Sequence, residues 1–105
     1  MKYLVDGIEM AEQEFWSKFE SVIYDYTEEN IDEFIDQENE MVQIGSLTYY
    51  PSHVLKNVDP IAYNCYISDM ADCFYSDFKY ELERYGELEI GGTEFIIEDN
   101  EEEEE

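Results

Sequence analysis

The sequence predicts an α+β fold: a single small domain in which short β-hairpins form an antiparallel sheet packed with amphipathic helices. Three observations lead there. Apolar residues recur at helical spacing through long segments. A small turn device, an apolar residue followed by Asp-Gly, Gly-Ser or Gly-Gly and then a large apolar residue, occurs three times. The 105 residues are also 44% hydrophobic and 16% aromatic, enough for a buried core despite a formal charge of −24.

The first hairpin is expected at about 2–10, around "VDGIEM". From Ala11 to Tyr26, the residues Phe15, Phe19, Val22 and Tyr26, with Trp16 and Ile23 beside them, mark one apolar helical face. Thr27 is placed to cap a second helix, "EENIDEFIDQE". In it Ile31, Phe34 and Ile35 share one side, while Glu28, Glu29, Asp32, Glu33 and Asp36 occupy the first turns and the other side. The second hairpin is expected at 41–50, around "IGSLTY", and Ser52 then caps a short turn through Leu55. Asp59 as cap and Pro60 at the first helical position open a long helix that ends at Gly86. Its buried stripe is expected to be Tyr63, Ile67, Met70, Phe74, Phe78, Leu82 and Tyr85, with Asp69, Asp72 and Glu83 turned away. The third hairpin, 87–98, puts Leu88 and Ile90 on one arm and Phe95 and Ile97 on the other. The domain is then residues 1–98, and 99–105 reads as a disordered Glu-rich tail, because a run of like charges cannot pack.

Charge bounds the partner. The chain holds 29 acids and five bases. Setting aside Glu98, Asp99 and the five terminal Glu still leaves 22 acids, so the tail does not account for the excess. Like charges on a small body oppose its folding, and a modest net charge already gives solubility, so the excess points to a use. Direct nucleic-acid binding and anionic membranes are disfavoured, since Lys2, Lys18, Lys56, Lys79 and Arg84 are scattered. The fitting partner is a strongly basic surface, and such surfaces belong mostly to proteins that bind DNA or RNA.

Chemistry is sparse by comparison. The single histidine, His53, follows Ser52 without an orienting group or an oxyanion site to complete a nucleophile. Cys65 and Cys73 lie eight residues apart on one expected helix, about 12 Å, beyond disulfide reach. Their spacing does not suit zinc, and they read as reduced, buried structural thiols of a cytoplasmic protein. No Gly-rich phosphate loop or EF-hand pattern is present, the opening "MKYLVDGIEM" is not a signal peptide, and no apolar run reaches membrane-spanning length. The expectation is therefore a non-enzyme with no cofactor, no structural metal and no catalytic residue.

The acids can imitate something specific. DNA carries one phosphate charge per ~3.4 Å along each strand, and carboxylates one helical turn apart are separated by ~5.4 Å. Rows such as Glu29, Asp32, Asp36 and Asp69, Asp72 present a comparable ladder, and "EENIDEFIDQENE" contains not one base to interrupt it. The order "VDGIEM…EFW", "IGSLTYYPSHVLKNVDPIAY" and a final "GGTEFIIED" with a Glu-rich end resembles a group of small acidic proteins of phages and mobile elements in Gram-positive bacteria. In class the chain is similar to phage-encoded DNA mimics that block restriction enzymes or CRISPR nucleases. The resemblance implies an inhibitor acting in the host cytoplasm on a basic nucleic-acid-binding cleft, with a Cas9-type nuclease favoured and a restriction enzyme next. The alternative is an acidic chaperone or assembly factor for a basic protein. The expected partner-binding residues are Glu28, Glu29, Asp32, Glu33, Asp36, Asp69 and Asp72 as surrogate phosphates, with Tyr49, Tyr50 and Tyr66 as aromatic anchors. Two copies can also associate as a homodimer if an aromatic stripe is left uncovered.

Overall fold

Asp6 and Gly7 both take positive φ, 52° and 84°, the left-handed pair that a type I′ turn requires. They fold β1 (Lys2–Val5) back onto β2 (Ile8–Met10). The computed structural model describes residues 1–98, and the expected tail at 99–105 lies outside them. After β2 the chain forms α1 (Glu12–Glu38), then a hairpin of β3 (Val42–Ile44) and β4 (Leu47–Tyr49). Next come α2 (Pro51–Val58), α3 (Pro60–Tyr85) and a last hairpin of β5 (Glu87–Ile90) and β6 (Thr93–Glu98). All three expected hairpins form, and the architecture is α+β as predicted.

The first and last hairpins merge. β1 pairs antiparallel with β6, from Lys2 opposite Glu98 to Val5 opposite Phe95, giving the strand order β2-β1-β6-β5. The main core lies between this sheet and the two long helices. Val5, Phe15, Phe19, Ile23, Leu82, Ile90 and Phe95 are buried there. Phe95 meets Phe15 and Phe19 edge-on, with ring centroids 5.6 and 5.1 Å away, an arrangement that suits the ring quadrupoles. A second cluster of Ile31, Ile35 and Ile67 fixes the other end of the helix pair, with Phe34, Leu55, Tyr63, Tyr66 and Met70 packed on it.

The helix expected to break at Thr27 does not break. α1 buries Phe15, Phe19, Ile23, Thr27, Ile31 and Ile35, one residue in every four. Such a ridge drifts by ~40° per step around a helix of 3.6 residues per turn. It therefore starts on the core beneath the sheet and ends on the cluster shared with α3. Thr27 sits between the two clusters, and its hydroxyl donates to the Ile23 carbonyl at 2.8 Å. That local bond satisfies the buried hydroxyl without capping anything.

Three further expectations are corrected. Ser52 lies inside α2 and Tyr50 holds its N-cap position, while the helix runs on to Val58 instead of stopping at Leu55. Tyr85 is 64% exposed, and Ala71 takes a place on the buried side of α3. Cys65 and Cys73 are free and exposed, because they lie on the side of α3 away from the core. The ends of α3 are as read. Asp59 accepts from the Ala62 N–H at 3.1 Å, and Gly86 adopts φ 82° at the C-cap. A Cβ on Gly86 would stand 3.3 Å from the Ile97 carbonyl, so the position wants glycine for space as well as for φ. The molecule is long and narrow, 72 × 20 × 19 Å.

Candidate acidic interface

Six of the 29 acids, Asp99 and Glu101 to Glu105, fall outside the described residues, which leaves 23 on the folded part against all five bases. Three of those bases rest on ring faces. Lys79 lies 5.1 Å from the Trp16 ring centroid and 5.9 Å from that of Tyr75. Lys56 lies 5.6 Å from Tyr63, and the Arg84 guanidinium 5.5 Å from Tyr85. These are cation–π distances.

The expected surrogate phosphates divide into two kinds. Glu28, Glu29, Asp69 and Asp72 are exposed and make no side-chain hydrogen bond among the described residues. Glu33 is exposed and accepts only a long bond, 3.3 Å, from its neighbour Gln37 one turn on. Asp32 and Asp36 are engaged within the fold. Asp36 is half-buried and accepts from the Ser52 N–H at 2.9 Å and from its hydroxyl at 3.1 Å. It caps α2 from a neighbouring helix, a job that fixes the carboxylate and occupies it. Asp32 accepts from the Tyr63 hydroxyl of α3 at 2.6 Å, a short charge-assisted bond. Burial first, then this bond and the charges of Asp32 and Glu28, push the Tyr63 phenol up to about 12. At the same end of the pair Tyr66 donates to Glu38 at 2.8 Å, and burial followed by that bond raises its pKa.

The aromatic candidates scatter likewise. Tyr66 is half-buried on the second core cluster. Tyr49 is half-buried in the β3–β4 hairpin, and Tyr50 is exposed just beyond it. None lies among the exposed acids of mid-α1.

Acids that the sequence reading passed over complete the picture. An open groove of about 490 Å³ runs between α1 and α3, lined by Glu20, Tyr24 and Asp25 on one side and Ser68, Asp72 and Tyr75 on the other. Asp25 also borders a shallow recess with Glu29, Gly91 and Thr93 at the β5–β6 turn. On the unbroken helix Asp25, Glu28 and Asp32 recur every three or four residues, a row with roughly one turn, ~5.4 Å, between charges. A helix boundary at Thr27 would split that row, because it separates Asp25 from Glu28 and Asp32. The signal is the i, i+3, i+7 recurrence of Asp25, Glu28 and Asp32 across Thr27.

What these residues offer is charge in fixed positions. Among the described residues no group of His, Cys, Asp and Glu is arranged to hold a metal ion. Among the described residues no helix is long and apolar enough to cross a membrane. No protein-family model, curated protein or solved structure matches this chain.

Proposed function

We propose that the protein is an inhibitory binding protein that presents positioned carboxylates to a basic nucleic-acid-binding cleft, in the manner of a DNA strand. The observation that carries this reading is the acidic row of α1 together with Asp72 across the groove. These charges ride on two packed helices of 27 and 26 residues, each ~40 Å long, so they keep their spacing when a partner approaches. A basic channel built for phosphates, as in a Cas9-type nuclease or a restriction enzyme, is the chemistry that would accept them.

One observation favours a second reading, an acidic chaperone for a basic client. The exposed acids are spread around both helices and are not gathered on one face. The test is competition with duplex DNA for a purified basic nuclease. A variant with Asp25→Asn, Glu28→Gln, Glu29→Gln, Asp69→Asn and Asp72→Asn is compared with a chain ending at Asn100, which loses the same number of charges. Asp32 and Asp36 are left in place because they bond to Tyr63 and Ser52. Mimicry expects the helix variant to lose at least tenfold in protection and the shortened chain to keep it. Equal loss from both would support the chaperone.

A further inference from the structure

Between Glu40 and Asp59 the chain contains no acid at all. Residues 41–58 carry only Lys56 and His53 as titratable bases, in a molecule of net charge −24. The structure gathers this stretch at one end of the helix pair, as the β3–β4 hairpin and α2. The hairpin is amphipathic. Val42 pairs with Tyr49 and Ile44 with Leu47, so these four share one face, while Gln43 and Thr48 share the other. At the base, Val42 and Tyr49 are half-buried. At the tip the same face is bare: Ile44 is 64% and Leu47 58% exposed. Beside the patch lies a groove lined by Val42, Val54, Leu55 and Val58, with Val58 76% exposed, and the carboxylates of Glu40 and Asp59 mark where the acid-free surface ends.

We infer that a second copy of this chain covers this end, with the apolar faces of two β3–β4 hairpins packed across a two-fold axis. Charge selects the occupant. Two bodies this acidic repel least where neither presents carboxylates, and the face of the β3–β4 hairpin belongs to the one long acid-free segment each possesses. A foreign partner chosen by charge would be basic and would go to the acidic helices instead. The patch is apolar and can serve both sides of an isologous contact, as two-fold symmetry demands. A two-stranded hairpin is also marginal in water on its own, and a second apolar layer would supply what it lacks. This inference is independent of the mimicry reading and concerns the opposite kind of surface.

The two have opposite salt dependence. Screening weakens attraction between the acidic helices and a basic target, but it relieves repulsion between two copies. Sedimentation equilibrium of the full chain should give twice the 12.5 kDa chain mass, with dimerisation tightening at least several-fold from low to high salt. Ile44→Glu with Leu47→Glu should leave a monomer at every salt concentration. Ile8→Glu, an equally exposed change on β2 of the other sheet, should leave the dimer intact. Circular dichroism checks the fold, and Ile44→Ser with Leu47→Ser removes the apolar tip without adding charge and should weaken the dimer too. A monomer at high protein concentration in high salt would overturn the inference, and so would a dimer indifferent to both tip variants. A monomer that still protects DNA-binding sites would leave the proposed function standing.

Discussion

At the scale of single residues, the carboxylates of α1 are of two sorts, and their bonding tells them apart. Asp36 and Asp32 hold parts of the fold together, whereas Glu28 and Glu29 do not. Tyr63 gives that distinction a pH dependence. Burial and the bond to Asp32 raise its phenol from an ordinary 10.0 to about 12. The folded chain then keeps a proton that the unfolded chain has already released. The contribution to stability is complete below pH 10 and is lost as pH rises through about 12. Denaturant unfolding should show stability falling over that window, and Tyr63→Phe should fall less steeply. An unchanged slope in the variant would mean that folding does not hold the Tyr63 proton.

At the scale of elements, the places where sequence and structure part have a common cause. Thr27 is a good cap by residue type, and the dense acids after it look like the first turn of a new helix. What overrides that local signal is tertiary. Every fourth residue from Phe15 to Ile35 is buried, and a break would have ended the ridge between the two core clusters. The caps that did read correctly, Asp59 and Gly86, act through their own backbone and immediate neighbours, so their signals were complete in the sequence. The cap of α2 was not legible, since its carboxylate comes from Asp36, 16 residues away. The groove acids Glu20 and Asp25 were lost with the false boundary at Thr27. The two readings of Thr27 differ in energy. A lost N-cap costs ~1 kcal/mol, while a mid-helix hydroxyl bonded to its own helix contributes little. Thr27→Val should therefore cost less than the ~1 kcal/mol of a lost N-cap, measured by denaturant titration. A loss of a full kcal/mol or more would show that the hydroxyl matters to α1.

At the scale of the whole molecule, 23 acids and five bases share the described residues. Repulsion among them opposes the folded state, and aromatic packing has to outweigh it. Phe15, Phe19 and Phe95 in mutual contact, and Phe74 stacked on Phe78 at 5.5 Å, are where that packing concentrates. The melting temperature should then rise as salt is added, because the Debye length falls from ~10 Å at 0.1 M to ~3 Å at 1 M. A melting temperature that stays flat over that range would mean that the acids are too far apart to strain the fold. Composition alone announced this tension. It did not disclose that the charge is segregated, since the acid-free stretch matters only once folding has collected it at one end.

The pairing of β1 with β6 has a consequence for how the chain reaches its native state. Strand partners Val5 and Phe95 are ninety residues apart, and Phe95 fills the centre of the main core. Contacts so distant in sequence form late, because a long loop must close before they repay it. On the ribosome the helices can begin to associate while β1 and β2 still wait for a partner. The side of that hairpin that β1 turns to β6 stays unpaired until β6 emerges. β6 acts as a latch on β1, closing the sheet only once the chain from Val5 to Phe95 has been made.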